Sequence, residues 1–139
     1  MISRHAKVTS YRDLTVWQRA MDLVDLAYEV TKAFPRDERF GLTAQLQRCA
    51  VSVPSNIAEG HGREHLREYV HHLSMANGSL MELETQVLIA SRRLYITTGE
   101  VEPVLDLSRV VGRLLAGLVR ALKARIPRHP TPGTRHLSR

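Results

Sequence analysis

Residues 42–63 read LTAQLQRCAVSVPSNIAEGHGR, and the way this stretch divides into faces decides the fold. At about 100° per residue, Leu42, Leu46, Cys49, Ala50, Val53 and Ile57 share one side, as an amphipathic helix requires. Gln45, Arg48, Ser52, Ser55, Asn56 and Glu59 form a second, narrow stripe. A solvated helix face normally carries Lys and Glu. This one is mostly short, neutral and polar, which suits close contact with another backbone, a second subunit or a ligand. Pro54 sits inside the pattern, where it removes one helical hydrogen bond. Ser52, Ser55 and Asn56 are placed to serve the freed groups. Gly60 and Gly62 are expected to stop the helix.

Working outward, an earlier helix is expected from about Asp13 or Thr15 to Phe34, ended by Pro35, with Thr15 and Gln18 spaced as a capping box. Leu14, Trp17, Met21, Val24 and Tyr28 make a heptad seam, widened by Leu23, Leu26, Ala27 and Val30. A third helix is expected from about Arg63 to Tyr95. Leu66, Leu73, Leu80, Val87 and Leu94 are seven apart, as are Tyr69, Ala76, Leu83 and Ala90. Val70, Met81 and Leu88 flank that seam, and Gly78 reads as a helical glycine that admits a neighbouring backbone. Thr97-Thr98-Gly99 breaks the chain. A fourth helix follows, with Pro103 in its first turn and Val104, Leu107, Val111, Leu114, Leu115, Leu118 and Leu122 as its buried stripe.

The expected fold class is therefore all-α, an up-down-up-down four-helix bundle over residues 13–126. It has a flexible N-terminus over 1–12 and a disordered basic tail over 127–139. The second and third helices carry more apolar and polar surface than one small core can bury, which implies a homo-oligomer.

The chain has 139 residues, enough for one domain with a core. A lone cysteine fits a reducing cytoplasm and provides no disulfide framework. No run reaches the roughly 18 apolar residues of a membrane span. Residues 1–13 lack the apolar core of a secretory signal, so the expected location is cytoplasmic. Charge is uneven. Residues 109–139 hold eight Lys/Arg and no acid, a sum of +8, while residues 1–108 sum to −2. Any polyanion contact belongs to the C-terminal end.

There, Arg109, Arg113 and Arg120 lie within about 40° of one another opposite the buried stripe. With Lys123, Arg125 and Arg128 they make a basic ridge. It reads either as a solvated face whose cations suit the helix dipole or as a phosphate contact for RNA or DNA. No aromatic residues interleave with these cations as a stacking platform needs, so base-specific readout is not supported. Glu84, like Asn77, falls in the apolar half of the third helix. An unpaired carboxylate there is costly, and Arg48 is the expected structural partner.

No metal site, cofactor or catalytic residue is expected. His61 and His65 are separated by Gly62, His71 and His72 face different ways, and no ligand cluster completes a known spacing. There is no G-x-S-x-G, phosphate loop or H-E-x-x-H. Cys49 lies on the apolar face and reads as a small core residue.

The segments DLTVWQRA (13–20), FPRDERFGLTAQLQRCAVSVPSNIAEG (34–60) and NGSLMELETQ (77–86) resemble the four-helix-bundle family of large-subunit ribosomal-RNA intervening-sequence proteins. The resemblance spans residues 11–125. Cys49 stands where that family usually has a small residue such as alanine. The resemblance implies a bacterial bundle that assembles as a ring-shaped homopentamer. It also implies kinship with the accessory variability determinant of diversity-generating retroelements, which binds nucleic acid and a reverse transcriptase. The combined expectation is a non-enzymatic, homo-oligomeric RNA- or nucleic-acid-binding accessory protein that works through the basic ridge and tail. The alternative is a protein–protein scaffold, for instance a partner of a reverse transcriptase. That scaffold would dock its partner through the polar stripe of the second helix or through the ring surface, without touching nucleic acid. Gln45, Arg48, Ser52, Pro54, Ser55, Asn56 and Glu59 of that stripe, with Glu84 of the third helix, are the expected structural and interface residues.

Overall fold

Each apolar stripe turns inward on a helix of its own. In the computed structural model, which describes residues 8–128, these are α1 (Thr15–Thr31), α2 (Leu42–His61), α3 (Leu66–Arg92) and α4 (Thr98–Arg125). The described residues contain no strand. Short turns make consecutive helices antiparallel. Neighbours in sequence pack side by side, α4 closes back on α1, and the diagonal pairs stay apart. Leu23, Leu46, Ile57, Leu73, Leu80, Leu83 and Leu115 fill the centre. No helix among the described residues is long and apolar enough to cross a membrane.

The helix ends depart from the sequence expectation in instructive ways. The Thr15–Gln18 capping box does not form. Gln18 donates instead to the Arg12 carbonyl at 2.9 Å. The box lies one turn earlier, between Ser10 and Asp13, on a 3-10 turn over Tyr11–Asp13. Donation from the Thr9 N–H, the Thr9 hydroxyl and the Ser10 N–H holds the Asp13 carboxyl below its usual range. Tyr11 packs edge-on against Trp17, 5.3 Å between ring centres. The folded unit thus starts before residue 13. Residues 1–7 and 129–139, which include most of the expected tail, lie outside the described set.

Thr97 and Glu100 form a reciprocal capping box on α4, so the helix starts at Thr98, just ahead of the Gly99–Pro103 start that the sequence suggests. At the end of α3, the Tyr95 N–H donates to the Ala90 carbonyl and the Leu94 N–H to that of Ser91. This is a Schellman closure with leucine in the position glycine prefers. Leu94 has φ 63° and projects its side chain into solvent. The seven-residue row therefore ends at Val87. At 27 residues, α3 is roughly 40 Å long, shorter than the expected 63–95 span.

On α1 the seam is displaced. Val16, Ala20, Leu23, Ala27 and Val30 are buried, while Leu14, Trp17 and Val24 are half-buried and Met21 and Tyr28 exposed. Both rows have helical spacing. The row with two alanines lies inside because α1 must accept both α2 and α4.

Three glycines have separate roles. Gly62 caps α2, as expected. Gly60 does not stop the helix. It is buried within α2, and a Cβ there would lie 2.7 Å from His72 Cβ and 3.2 Å from the Tyr69 carbonyl oxygen. Only glycine lets α2 and α3 approach this closely. Gly78 faces open space, with nothing within 4 Å of a built Cβ, so it does not admit another helix of its own chain. Gly78→Ala is accordingly expected to stabilise the protein by about 0.5–1 kcal/mol, through helix propensity alone. A higher midpoint in urea with unchanged m would show it.

Candidate nucleic-acid interface

The polar stripe of α2 splits between two surfaces. Gln45, Arg48 and Ser52 turn toward α3 and line a cleft of about 340 Å³ with Cys49, Ser79, Glu82 and Gln86. Pro54 and Ser55 turn toward α1 and border a separate groove containing Trp17 and Met21. Glu59 is held by Arg63 one turn on, at 2.7 Å.

Beneath the α2–α3 cleft runs a chain of hydrogen bonds. The Ser79 hydroxyl donates to Ser52 Oγ at 2.8 Å, and the Asn56 amide donates to the same oxygen at 3.0 Å and to the Ser52 carbonyl at 2.9 Å. The Asn56 amide serves Ser52 and not the Ala50 carbonyl opposite Pro54. Asn56 Oδ1 then faces His72 Nδ1 at 3.3 Å, which assigns the proton to Nδ1. His72 is buried and belongs to this α2–α3 joint.

Glu84 does not pair with Arg48. The fully buried Ser108 hydroxyl of α4 donates to Glu84 Oε1 at 2.6 Å, and no ion pair joins Glu84 to Arg48 among the described residues. Glu82 is the carboxylate on the α2 side. Residues two apart on a helix point about 160° from each other, so one acid meets α2 and the other α4. Asn77 is also corrected. It is exposed, on the rim between α3 and α4.

Cys49 is buried, as expected, and its thiol donates to Glu82 Oε2 at 3.2 Å. Burial, and then the Glu82 carboxylate, push its pKa up to about 11. At pH 8 this leaves about a hundredfold less thiolate than an unperturbed thiol with its ordinary value of 9.0. Native Cys49 should therefore react with a disulfide reagent at least tenfold more slowly than the unfolded chain. A comparable rate would contradict this burial. In linkage terms, the stability this thiol contributes is intact below pH 9 and is lost as pH rises through 11.

The basic ridge of α4 keeps most of its members free. Arg113, Arg120, Lys123, Arg125 and Arg128 are exposed and make no ion pair among the described residues. Arg109 differs: it bonds Asp106 at 2.6 Å on the same helix, which neutralises its charge locally. The sequence reading missed Arg67. Antiparallel packing puts the start of α3 beside the end of α4, where Arg67 Nη2 donates to the Pro127 carbonyl at 3.4 Å. Arg67, Lys123 and Arg128 then surround a cleft of about 450 Å³ whose lining has no acid. Nothing local in the sequence links residues 67 and 128. The topology alone could have suggested it.

The model of the family described as 23S rRNA-intervening sequence protein matches residues 12–117, most of the chain. The chain belongs to this family. The match includes α1 to α3 and the α4 ridge through Arg113, and stops before Arg120 and the Arg67 cleft's other members. Among solved structures, the chain is similar to a protein of unknown function from the S23 ribosomal protein family of Bacteroides thetaiotaomicron. The TM-score is 0.70 at 20% identity, over 76% of this chain and 95% of that one. That likeness bears on the bundle fold of this intervening-sequence-family member. No curated protein matches it.

Proposed function

We propose that this protein is a non-enzymatic, homo-oligomeric accessory protein of the cytoplasm that binds RNA or DNA through phosphate contacts. The observation that carries the reading is the concentration of unpaired cations on one face and one end of the bundle. Arg113 and Arg120 run down α4 to Lys123, Arg125 and Arg128, joined there by Arg67. Such a surface attracts polyanions by counterion release and reads no sequence by itself. The family's name adds ribosomal RNA as the first target to try. Exposed Met21, Val51, Met75, Met81 and Leu88 support self-association, and the family resemblance makes a pentameric ring the form to test. A ring would repeat the ridge and strengthen its field.

An electrophoretic shift of ribosomal RNA, with the full chain and with a chain ending at Ile126, tests the reading. Binding that weakens steeply with salt and falls on truncation is expected. A second reading, a scaffold for a protein such as a reverse transcriptase, draws on the half-exposed apolar row of α1. It expects no shift at any salt concentration.

A further inference from the structure

The groove between α3 and α4 is an apolar recess that shares Lys123 with the cationic cleft. It encloses about 310 Å³, at the lower end of the roughly 300–1,000 Å³ that small-ligand sites occupy. Val70 and Leu73 of α3 and Leu115 and Val119 of α4 form its walls, and Ser74 and Asn77 stand at the rim. Lys123 lines this groove and also the cleft with Arg67 and Arg128. Neither lining includes an acid. The Arg67–Pro127 bond ties α3 to the segment just after α4 at that end.

We infer that the groove takes one unstacked base of a single-stranded nucleic acid, with a flanking phosphate held by Lys123, Arg67 and Arg128. This rests on the nucleic-acid reading above and adds to it a base site between aliphatic walls, which the sequence alone did not support. Charge selects the occupant. The only charged groups along both recesses are cationic, so the ligand carries an anion beside an apolar body. The rim selects further. Asn77 offers a donor and an acceptor at the edge of an apolar slot, as a base edge requires, whereas an acyl chain would use neither. Bases in a duplex are stacked away, and proteins that read RNA do so mainly where bases are splayed out. A purely electrostatic surface behaves in the opposite way, since the denser charge of a duplex releases more counterions per contact. Preference for single strands is thus the signature of the groove and not of the ridge.

The test uses fluorescence anisotropy with the full chain, a short single-stranded RNA and the duplex of the same sequence, at one salt concentration. Wild type should bind the single strand about tenfold more tightly than the duplex, the gain expected from burying roughly 60 Å² of base surface against the aliphatic walls. Ser74 and Ala116 are exposed at the groove's mouth, so Ser74→Leu with Ala116→Leu fills it without changing charge. That variant should lose the preference and keep its duplex affinity within about twofold. Arg67→Glu with Lys123→Glu should weaken both. Equal wild-type affinity for the two forms, or an unchanged single-strand affinity in the filled variant, overturns the base site and leaves the phosphate reading standing. Absence of binding to either form overturns both. A filled variant that loses subunits in sedimentation along with RNA affinity assigns the groove to a second copy and also overturns the base site.

Discussion

Gly60→Ala is expected to destabilise the protein by about 2 kcal/mol and lower the thermal midpoint by roughly 8 °C. Helix propensity alone gives the opposite sign, because alanine is favoured over glycine inside a helix by about 1 kcal/mol. The packing term wins here. The new methyl would meet His72 Cβ at 2.7 Å, Tyr69 Cδ1 at 3.1 Å and the Tyr69 carbonyl oxygen at 3.2 Å. Two of these atoms are backbone or one bond from it, so no rotamer change removes the clash. The helices must separate, and the separation falls on the Asn56–His72 end of the polar joint. Gly78→Ala is the internal control, since the same substitution in the next helix meets nothing. Urea melts of the two variants should shift in opposite directions. A Gly60→Ala protein at least as stable as wild type would mean that the α2–α3 contact is looser than described.

Arg113→Glu with Arg120→Glu should weaken RNA binding on the order of a hundredfold near 0.1 M salt. The salt slope should become shallower by about 1.5, the counterion release of two lost contacts. Both guanidiniums are exposed and make no ion pair among the described residues, so the wild-type side chains are available to phosphate and the reversed ones repel it. Arg109→Ala should change affinity less than about twofold, since Asp106 already neutralises that cation. Titration at three salt concentrations measures affinity and slope together. Binding unaltered by the double reversal would remove the ridge from the interface, whatever the protein does elsewhere.

Much of this architecture is legible in the chain itself. Four helices, their order and their approximate ends follow from hydrophobic period and punctuation, which are local properties. The burial of Cys49 and the polar character of the α2 stripe follow in the same way. So does the concentration of positive charge after residue 108, although Asp106 silences its first member.

What only the tertiary structure decided is which neighbour each side chain meets. On α1 two rows share the helical period, and packing against α2 and α4 together chose the one with Ala20 and Ala27. Glu84 took Ser108 and not Arg48, because a two-residue step turns a carboxylate from one neighbouring helix to the other. Gly60 reads as a helix stop and Gly78 as a close-approach glycine, yet it is Gly60 that sits against His72 and Gly78 that faces open space. Arg67 joined Lys123 and Arg128 across more than fifty residues of chain. Period is set by bonds along one helix. Contact is set by the angle and distance between helices, to which residues far apart in the chain contribute jointly.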